Sequence, residues 1–260
     1  MNPEYLTLTR IIVLAACMIY ASYKDWMERE VDDLVWIIGG CVAGILTVID
    51  LAFYSWNMRI LLATILSIIL SSGLAFTFYF LGLYGGADAK AIAMISIGLP
   101  LYYPPIRLHP FTGLATLSNG LIISLSLLLI FLLWNLIALA RGEKIFEDFE
   151  HESKLRKLAA MLFGIRIKNA RSRKFWFPLE TEKNGKRIFD FKFLSIEFEE
   201  PMRDDCWATP GIPLLIFLTL GFLSYVLIGD LIKIIWKVIL RMMSWLIFPH
   251  LNLFLSLIHI

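Results

Sequence analysis

The sequence predicts an all-α polytopic membrane protein with about six transmembrane helices and a small α+β cytoplasmic domain between helices five and six. The first observation behind this fold class is that 58% of the 260 residues are hydrophobic, with a mean hydropathy of +0.72 and long apolar runs along most of the chain. The second is that residues 141–210 hold 15 of the 24 basic and 13 of the 22 acidic residues. We therefore expect this charged stretch to lie in water.

Six apolar segments supply the predicted spans, since at 1.5 Å per residue about 20 residues cross a hydrocarbon core of about 30 Å. The fourth is short because Pro104-Pro105 follows it. The segments are 6–23, 34–53, 60–81, 89–103, 113–140 and 211–229. The predicted domains are 1–140 with helices one to five, 141–210 as the soluble domain, 211–230 as helix six, and 231–260 as an apolar or amphipathic tail. No small-residue cleavage site follows the first apolar run, so we expect that helix to be retained.

The charged stretch contains the patterns of a small α+β module. Residues 149–163 have mixed charge at helical spacing, whereas 174–177 and 187–193 alternate like strands. Asn184-Gly185 lies between the two alternating runs and is a strong signal for a hairpin turn. We expect a small sheet packed on a helix or on the membrane surface.

The distribution of Lys and Arg predicts the orientation. Residues 24–33, 82–90 and 141–210 emerge at one predicted face and carry 18 Lys and Arg, against six elsewhere. Because cytoplasmic loops are enriched in these residues, we expect a multi-pass protein of the cell membrane whose charged domain faces the cytoplasm.

Composition argues against several other classes. The net charge is only +2, so we expect no nucleic acid among the partners. The three cysteines form no C-x-x-C pair and the four histidines lie far apart, so we predict neither a metal site nor any other cofactor.

The segment Gly85-Gly86-Ala87-Asp88-Ala89-Lys90 places an acid between two long apolar segments. Ionisable groups at membrane depth are costly, so Asp88 is a candidate functional residue. The two glycines allow backbone conformations and close approaches that a side chain would forbid, and an Asp that opens the next helix lies near the positive end of its dipole. Lys90 is expected to reach the interface or balance local charge and not to act as a base. The alternative is a polar turn with an N-capping Asp.

Asp25 is the predicted partner of Asp88. Asp25 ends helix one and Asp88 begins helix four, so two complete crossings separate them and both acids emerge at the same face. Two neighbouring carboxylates titrate as a coupled pair that shares one proton. One member can then activate water while the other protonates the leaving amine, which is the chemistry of peptide hydrolysis by carboxylates.

The segments around Asp25 (22–31) and Asp88 (85–90) resemble the two catalytic motifs of the GxGD aspartyl membrane proteases. Within that group the chain is most similar to archaeal preflagellin (prearchaellin) peptidases, relatives of the bacterial type IV prepilin peptidases. The similarity includes 163–168, 176–180 and 207–213, so it covers roughly residues 8–230. Ala87 departs from the motif, which has glycine there, by a single methyl group.

The resemblance implies six spanning helices, Asp25 and Asp88 as catalytic residues, and Gly85, Gly86, Ala87 and Lys90 in the active-site loop. It also implies an aspartic endopeptidase that removes the short N-terminal leader of preflagellin or type IV pilin-like precursors at the cytoplasmic membrane face, with those precursors and membrane lipid as partners. The zinc-binding cysteine cluster of the bacterial relatives has no counterpart among three isolated cysteines.

A proton- or cation-coupled membrane carrier is the alternative function. Its support is the same two acids, together with helix breaks at Gly85-Gly86 and at 210–213. Against it, both acids lie at one face and not at the midplane, and no internal repeat relates two halves of the chain. A membrane scaffold would leave the acid pair unexplained.

Overall fold

The computed structural model describes residues 3–191 and 203–243, and most of these residues are helical. Their contacts divide the chain into two compact units. The first unit comprises Met1–Phe80, Tyr84–Ile123 and Leu214–Ile260, and the second comprises Leu81–Leu83 and Ser124–Pro213. Residues 244–260 of the predicted tail lie outside the described part of the chain.

The first unit is built around one short helix. Helix α4 contacts α1, α2, α3 and α8, and residues on all of its sides are buried. Small side chains allow this close packing, because seven of its 13 residues are Gly, Ala or Ser. The helices of this unit are α1 (Pro3–Glu28), α2 (Asp33–Phe53), α3 (Met58–Phe80), α4 (Gly86–Gly98), α5 (Thr112–Ser124) and α8 (Leu214–Leu227).

The end of α4 differs from the prediction. A fourth span over 89–103 was expected, with Pro104-Pro105 as its end, but the helix ends at Gly98. Pro100 explains the difference, since the residue before a proline is driven out of the helical region, and Leu99 accordingly has φ −146° and ψ 69°. Leu101 then pairs with Phe111 in an isolated antiparallel bridge.

Four helices of the described chain are long and apolar enough to cross a membrane: Pro3–Glu28, Asp33–Phe53, Met58–Phe80 and Thr112–Ala140. A fifth is counted if α8 and the following helical segment Leu231–Met243, bent by 69° relative to each other, form one broken span. The predicted polytopic helical architecture is thus confirmed, but the number six is not. The 13-residue α4 is not among the candidates.

The second unit combines two helices with short strands. Helix α6 (Ser126–Ala140) is followed by α7 (Lys154–Phe163), β1 (Ile165–Ile167), β2 (Trp176–Pro178), β3 (Glu180–Lys183), β4 (Lys186–Phe189) and β5 (Cys206–Pro210). An antiparallel sheet has the order β1-β5-β2, with Ile165 opposite Ala208 and Pro178 also opposite Ala208. Strands β3 and β4 form a separate hairpin.

The predicted hairpin turn is confirmed. Asn184 and Gly185 have φ values of 53° and 71°, the left-handed conformation that a two-residue turn requires. The strand before the turn is β3 and not the alternating run 174–177, which overlaps β2 and pairs with β5 in the other sheet. The strand after the turn, β4, covers 186–189 and not the whole run 187–193, of which residues 192 and 193 lie outside the described chain. The expected helix over 149–163 begins only at Lys154, because Ser153 caps it by accepting a hydrogen bond from the Arg156 backbone N–H.

Helix α6 packs within the second unit, where Ala138 and Leu132 contact its hydrophobic core and a buried amide adds hydrogen bonds. Asn135 Nδ2 donates to the backbone oxygens of Met161 at 3.0 Å and Gly164 at 2.8 Å, which ties α6 to the end of α7. The unit therefore begins within the predicted fifth span. The aromatic core nearby contains Phe149 and Phe189, whose rings stack with centroids 4.4 Å apart.

Candidate active site

Helices α1 and α4 run in opposite directions, side by side. A Cβ placed on Gly98 would lie 2.9 Å from Leu14 Cδ2, so the end of α4 is pressed against Leu14 of α1. One turn further along α1, a Cβ on Gly39 of α2 would lie 2.9 Å from Cys17 Sγ and 2.5 Å from Met94 Sδ. Residue numbers therefore increase along α1 in the direction in which they decrease along α4, which means that the two helices are antiparallel.

This antiparallel packing brings Asp25 and Asp88 to the same level. Asp25 lies eleven residues after Leu14, about 16 Å along α1, and Asp88 lies ten residues before Gly98, about 15 Å along α4. The electrostatics agree with this placement, because the charge of Asp25 is the second largest cause of the raised pKa of Asp88. Asp25 is therefore close enough to Asp88 to raise its pKa.

Asp88 occupies the third position of α4 and is almost fully buried, with 7% of its surface exposed. Its Oδ2 accepts a hydrogen bond from the Gly85 backbone N–H at 3.0 Å, the side-chain half of a capping box. Its Oδ1 is buried and has no hydrogen-bond partner in the described part of the protein. Burial and the Asp25 charge raise the pKa of Asp88 to about 7, against the lowering effect of the Gly85 hydrogen bond.

Asp25 lies in the last turn of α1 and is half-buried. The helix ends three residues later, and the Arg29 backbone N–H closes the final turn by donating to the Asp25 carbonyl oxygen at 3.1 Å. Arg29 adopts the left-handed conformation, with φ 61°, which reverses the chain direction. Burial lowers the pKa of Arg29, and the negative charge of Asp25 partly opposes this effect. The Arg29 guanidinium is therefore a cation close to the Asp25 carboxylate.

The glycines before Asp88 do not have the unusual backbone that the sequence suggested. Gly85 has φ −76° and ψ 161°, and Gly86 is not among the residues with positive φ. A Cβ on Gly85 would lie 3.4 Å from Asp88 Oδ2, and one on Gly86 would lie 3.4 Å from the Tyr79 ring, which is ordinary van der Waals contact, so both positions have room for a methyl group. Ala87 packs partly buried against the core of the first unit.

Lys90 does not contact Asp88 directly. Its Nζ donates to Asp33 Oδ1 at 2.6 Å, with 43% of the Lys90 side chain and 66% of the Asp33 side chain exposed. This exposed ion pair joins the beginnings of α4 and α2, and that Lys90 does not act as a base stays a prediction.

Tyr84 is a residue of this site that the sequence analysis missed. Its hydroxyl donates to the Ala75 carbonyl oxygen at 2.7 Å, which fixes the turn before α4 onto α3. Burial and then the charge of Asp88 raise the pKa of Tyr84 to about 12. A tyrosine directly before Gly85-Gly86 was the available signal.

Ser22 and Thr219 form a second contact that the sequence did not reveal. Their hydroxyl oxygens are 2.6 Å apart and both are buried, and Ser22 also donates to the Leu215 carbonyl oxygen at 3.1 Å. This contact fixes α1 to α8 about one turn before Asp25. The two residues are 197 positions apart, so no local pattern could connect them.

No group of three or more His, Cys, Asp or Glu within residues 3–191 and 203–243 is arranged to hold a metal ion. Cys17, Cys41 and Cys206 are free. What the site offers is two carboxylates of unequal burial, one of them holding a proton near neutral pH, at neighbouring helix ends.

Comparison with known proteins shows which family and which relatives the chain is similar to. The sequence model of the type IV leader peptidase family matches residues 12–142, a range that contains both acids and the Gly85–Lys90 segment. The preflagellin peptidase of Methanococcus voltae is 25% identical over 82% of this chain and 92% of its own length. That of Methanocaldococcus jannaschii is 25% identical over 84% of this chain and 93% of its own length. That of Methanococcus maripaludis strain C6 is 28% identical, over 84% of this chain and 94% of its own.

Proposed function

Because the chain belongs to the type IV leader peptidase family, we propose that it is a membrane aspartic endopeptidase that removes leader peptides from preflagellin or pilin-like precursors. The family and the preflagellin peptidase relatives support a leader-peptide-cleaving protease in a multi-pass membrane protein. The observation that carries the aspartic mechanism is the placement of Asp25 and Asp88 at one level on antiparallel helices, inside the segment that matches the family.

The unequal burial of the acids suggests how they divide the chemistry. Asp88 is the more buried and holds the shared proton near neutral pH, while the more exposed Asp25 is the carboxylate. Asp25 takes a proton from water as the water oxygen attacks the peptide carbonyl carbon, and Asp88 gives its proton to the carbonyl oxygen. When the tetrahedral intermediate collapses, Asp25 passes its proton to the leaving nitrogen and Asp88 recovers one from a hydroxyl of the intermediate.

Neighbouring contacts hold each acid in place for this reaction. Ser22 and Thr219 fix the last turns of α1 against α8, and Tyr84 fixes the turn before α4 against α3. Neither contact consumes an oxygen of the two carboxylates. Asp88 Oδ1, which has no partner in residues 3–191 and 203–243, is the oxygen available to carry the proton toward substrate.

We place this reaction at the cytoplasmic membrane face. Asp25 and Asp88 lie at helix ends beside Lys24, Arg29 and Lys90, and residues 141–210 hold 15 of the 24 Lys and Arg of the chain. Precursors of this class carry a hydrophobic helix after the cleaved bond, which can lie in the bilayer beside the site while the leader stays in water.

The test is cleavage of a purified precursor by the protein in proteoliposomes. Asp25→Asn and Asp88→Asn should each reduce cleavage by at least about a thousandfold, and the double variant should be no worse than either, since the pair acts as a unit. Asp33→Asn is the matched control, because it removes an exposed acid at the same helix ends and should leave cleavage within about twofold. Substantial cleavage by either single catalytic variant, or proton uptake by vesicles without cleavage, would contradict the proposal.

A further inference from the structure

A cleft of about 1110 Å³ lies within the second unit. Its apolar side is the end of α6, where Trp134 and Ile137 are 60% and 50% exposed, together with Ile165 and Trp176. Helix α6 forms the last part of the candidate membrane span Thr112–Ala140. The apolar side of the cleft is therefore continuous with a surface that the bilayer covers.

The other side of the cleft is basic. Arg166 and Asp205 form an ion pair and neutralise each other. The remaining charged side chains that line this side are four cations and the two acids Glu143 and Glu147. Within the described part of the chain the side chains of three of these cations form no ion pair, and the fourth, Arg173, lies over the Trp176 ring at 5.2 Å. The four are Arg141, Lys144, Lys168 and Arg173.

Arg166 fixes the shape of this basic side. Its Nε and Nη2 each donate to Asp205 at 2.9 Å, and its Nη1 donates to the backbone oxygens of Lys144 at 3.2 Å and Glu147 at 3.0 Å. The turn that carries Lys144 is thereby joined to β1, which is followed by Lys168. The cations are held on a formed surface before any ligand arrives.

We propose that this cleft binds one anionic phospholipid, with its phosphate beside Lys144 and Lys168 and its acyl chains along Trp134 and Ile137. Tryptophan followed by basic residues at the end of a spanning helix is typical of the headgroup level of a membrane. A net excess of cations there favours an anionic over a zwitterionic headgroup. A soluble phosphate would satisfy the cations but would leave the exposed apolar face of α6 unused.

The first experiment measures lipid binding by native mass spectrometry of the full chain in neutral detergent. Dioleoyl-phosphatidylglycerol should bind at least about fivefold more tightly than dioleoyl-phosphatidylcholine, and Lys144→Gln/Lys168→Gln should weaken phosphatidylglycerol binding about tenfold. Lys183→Gln/Lys186→Gln is the matched control, since it removes two exposed lysines of the β3–β4 hairpin and should have no effect. The melting temperatures of both variants should match that of the parent protein, which shows that each one is folded.

The second experiment locates the acyl chains. In vesicles of phosphatidylcholine with 5% brominated phosphatidylglycerol, tryptophan fluorescence should be quenched, and Trp134→Phe should remove a distinct part of that quenching. The same fraction of brominated phosphatidylcholine should quench the tryptophan fluorescence clearly less. The proposal would be overturned if the two lipids bound with equal affinity, or if the hairpin control lost as much phosphatidylglycerol binding as Lys144→Gln/Lys168→Gln. It would also be overturned if Trp134→Phe left the quenching unchanged, or if glycerol phosphate displaced the lipid completely. None of these results depends on the proteolytic mechanism.

Discussion

The burial of Asp88 should make this carboxyl a pH-dependent cost to the stability of the protein. Its pKa rises from the usual 3.8 to about 7 in the folded chain, mainly through burial and secondly through the charge of Asp25. A carboxyl whose folded pKa is raised favours unfolding at every pH above the unfolded pKa. The penalty grows between pH 3.8 and about 7 and is constant above that range.

The magnitude follows from the size of the shift. About three pKa units at 1.36 kcal/mol each lower the free energy of unfolding by about 4 kcal/mol at pH 8. At pH 5 the same linkage lowers it by about 1.5 kcal/mol. Asp88→Asn removes the titration but keeps an oxygen that can accept the Gly85 N–H. The variant should therefore be more stable than the parent by up to about 4 kcal/mol at pH 8 and by clearly less at pH 5.

Thermal unfolding in one detergent at the two pH values measures this difference. Asp33→Asn is the control, because Asp33 is 66% exposed and its removal should shift the melting temperature little at either pH. In parallel, precursor cleavage by the parent protein should decline as the pH rises through about 7, where Asp88 loses the proton that it donates. A melting temperature for Asp88→Asn that is lower than the parent value at pH 8, or a gain that is equal at the two pH values, would refute the reasoning.

Three further changes test the packing around the site. Gly98→Val should destabilise the protein by about 1–3 kcal/mol and reduce cleavage, since even a Cβ there would lie within 3 Å of side chains on α1 and α2; the melting temperature and the cleavage rate check this. Ala87→Gly should retain cleavage within about threefold, because it removes only one partly buried methyl group and the family motif has glycine there. Arg10→Met should cost about 3–5 kcal/mol because it leaves Asp50 without its 2.7 Å ion-pair partner, and Arg10→Met/Asp50→Leu should recover much of that loss in unfolding measurements.

The prediction that Asp25 and Asp88 emerge at one face could be made from the sequence, because it needs only the number of crossings. Two spans between Asp25 and Asp88 bring both to one face whatever the packing, and the structure adds that their helices are neighbours. The Asn184-Gly185 turn could be predicted for a similar reason, since the required backbone conformation is local.

Features that depend on distant contacts could not be predicted. The end of α4 is a different case, since the effect of Pro100 on the preceding residue is local, but the apolar pattern continues past Pro100 and the prediction followed that pattern. The partnership of Ser22 with Thr219 joins residues that share no periodicity. The assignment of α6 to the second unit depends on contacts with residues distant in the chain, among them those of the buried amide of Asn135, in a run of Leu and Ile that reads as an ordinary span.

The contact between Leu14 and Gly98 also has a mechanical consequence. There Leu14 of α1 is pressed against the end of α4, and a chain of hydrogen bonds from Arg10 through Thr47 to the Gly98 carbonyl oxygen joins α1, α2 and α4 at the same end. The carboxylates lie about 15 Å from this fixed point, so a relative tilt of only about 4° changes their separation by about 1 Å. A displacement of that size can alter a reaction rate about a hundredfold. Small rotations of two rigid helices, with no change in their secondary structure, are therefore enough to set the gap across which a water molecule must be shared.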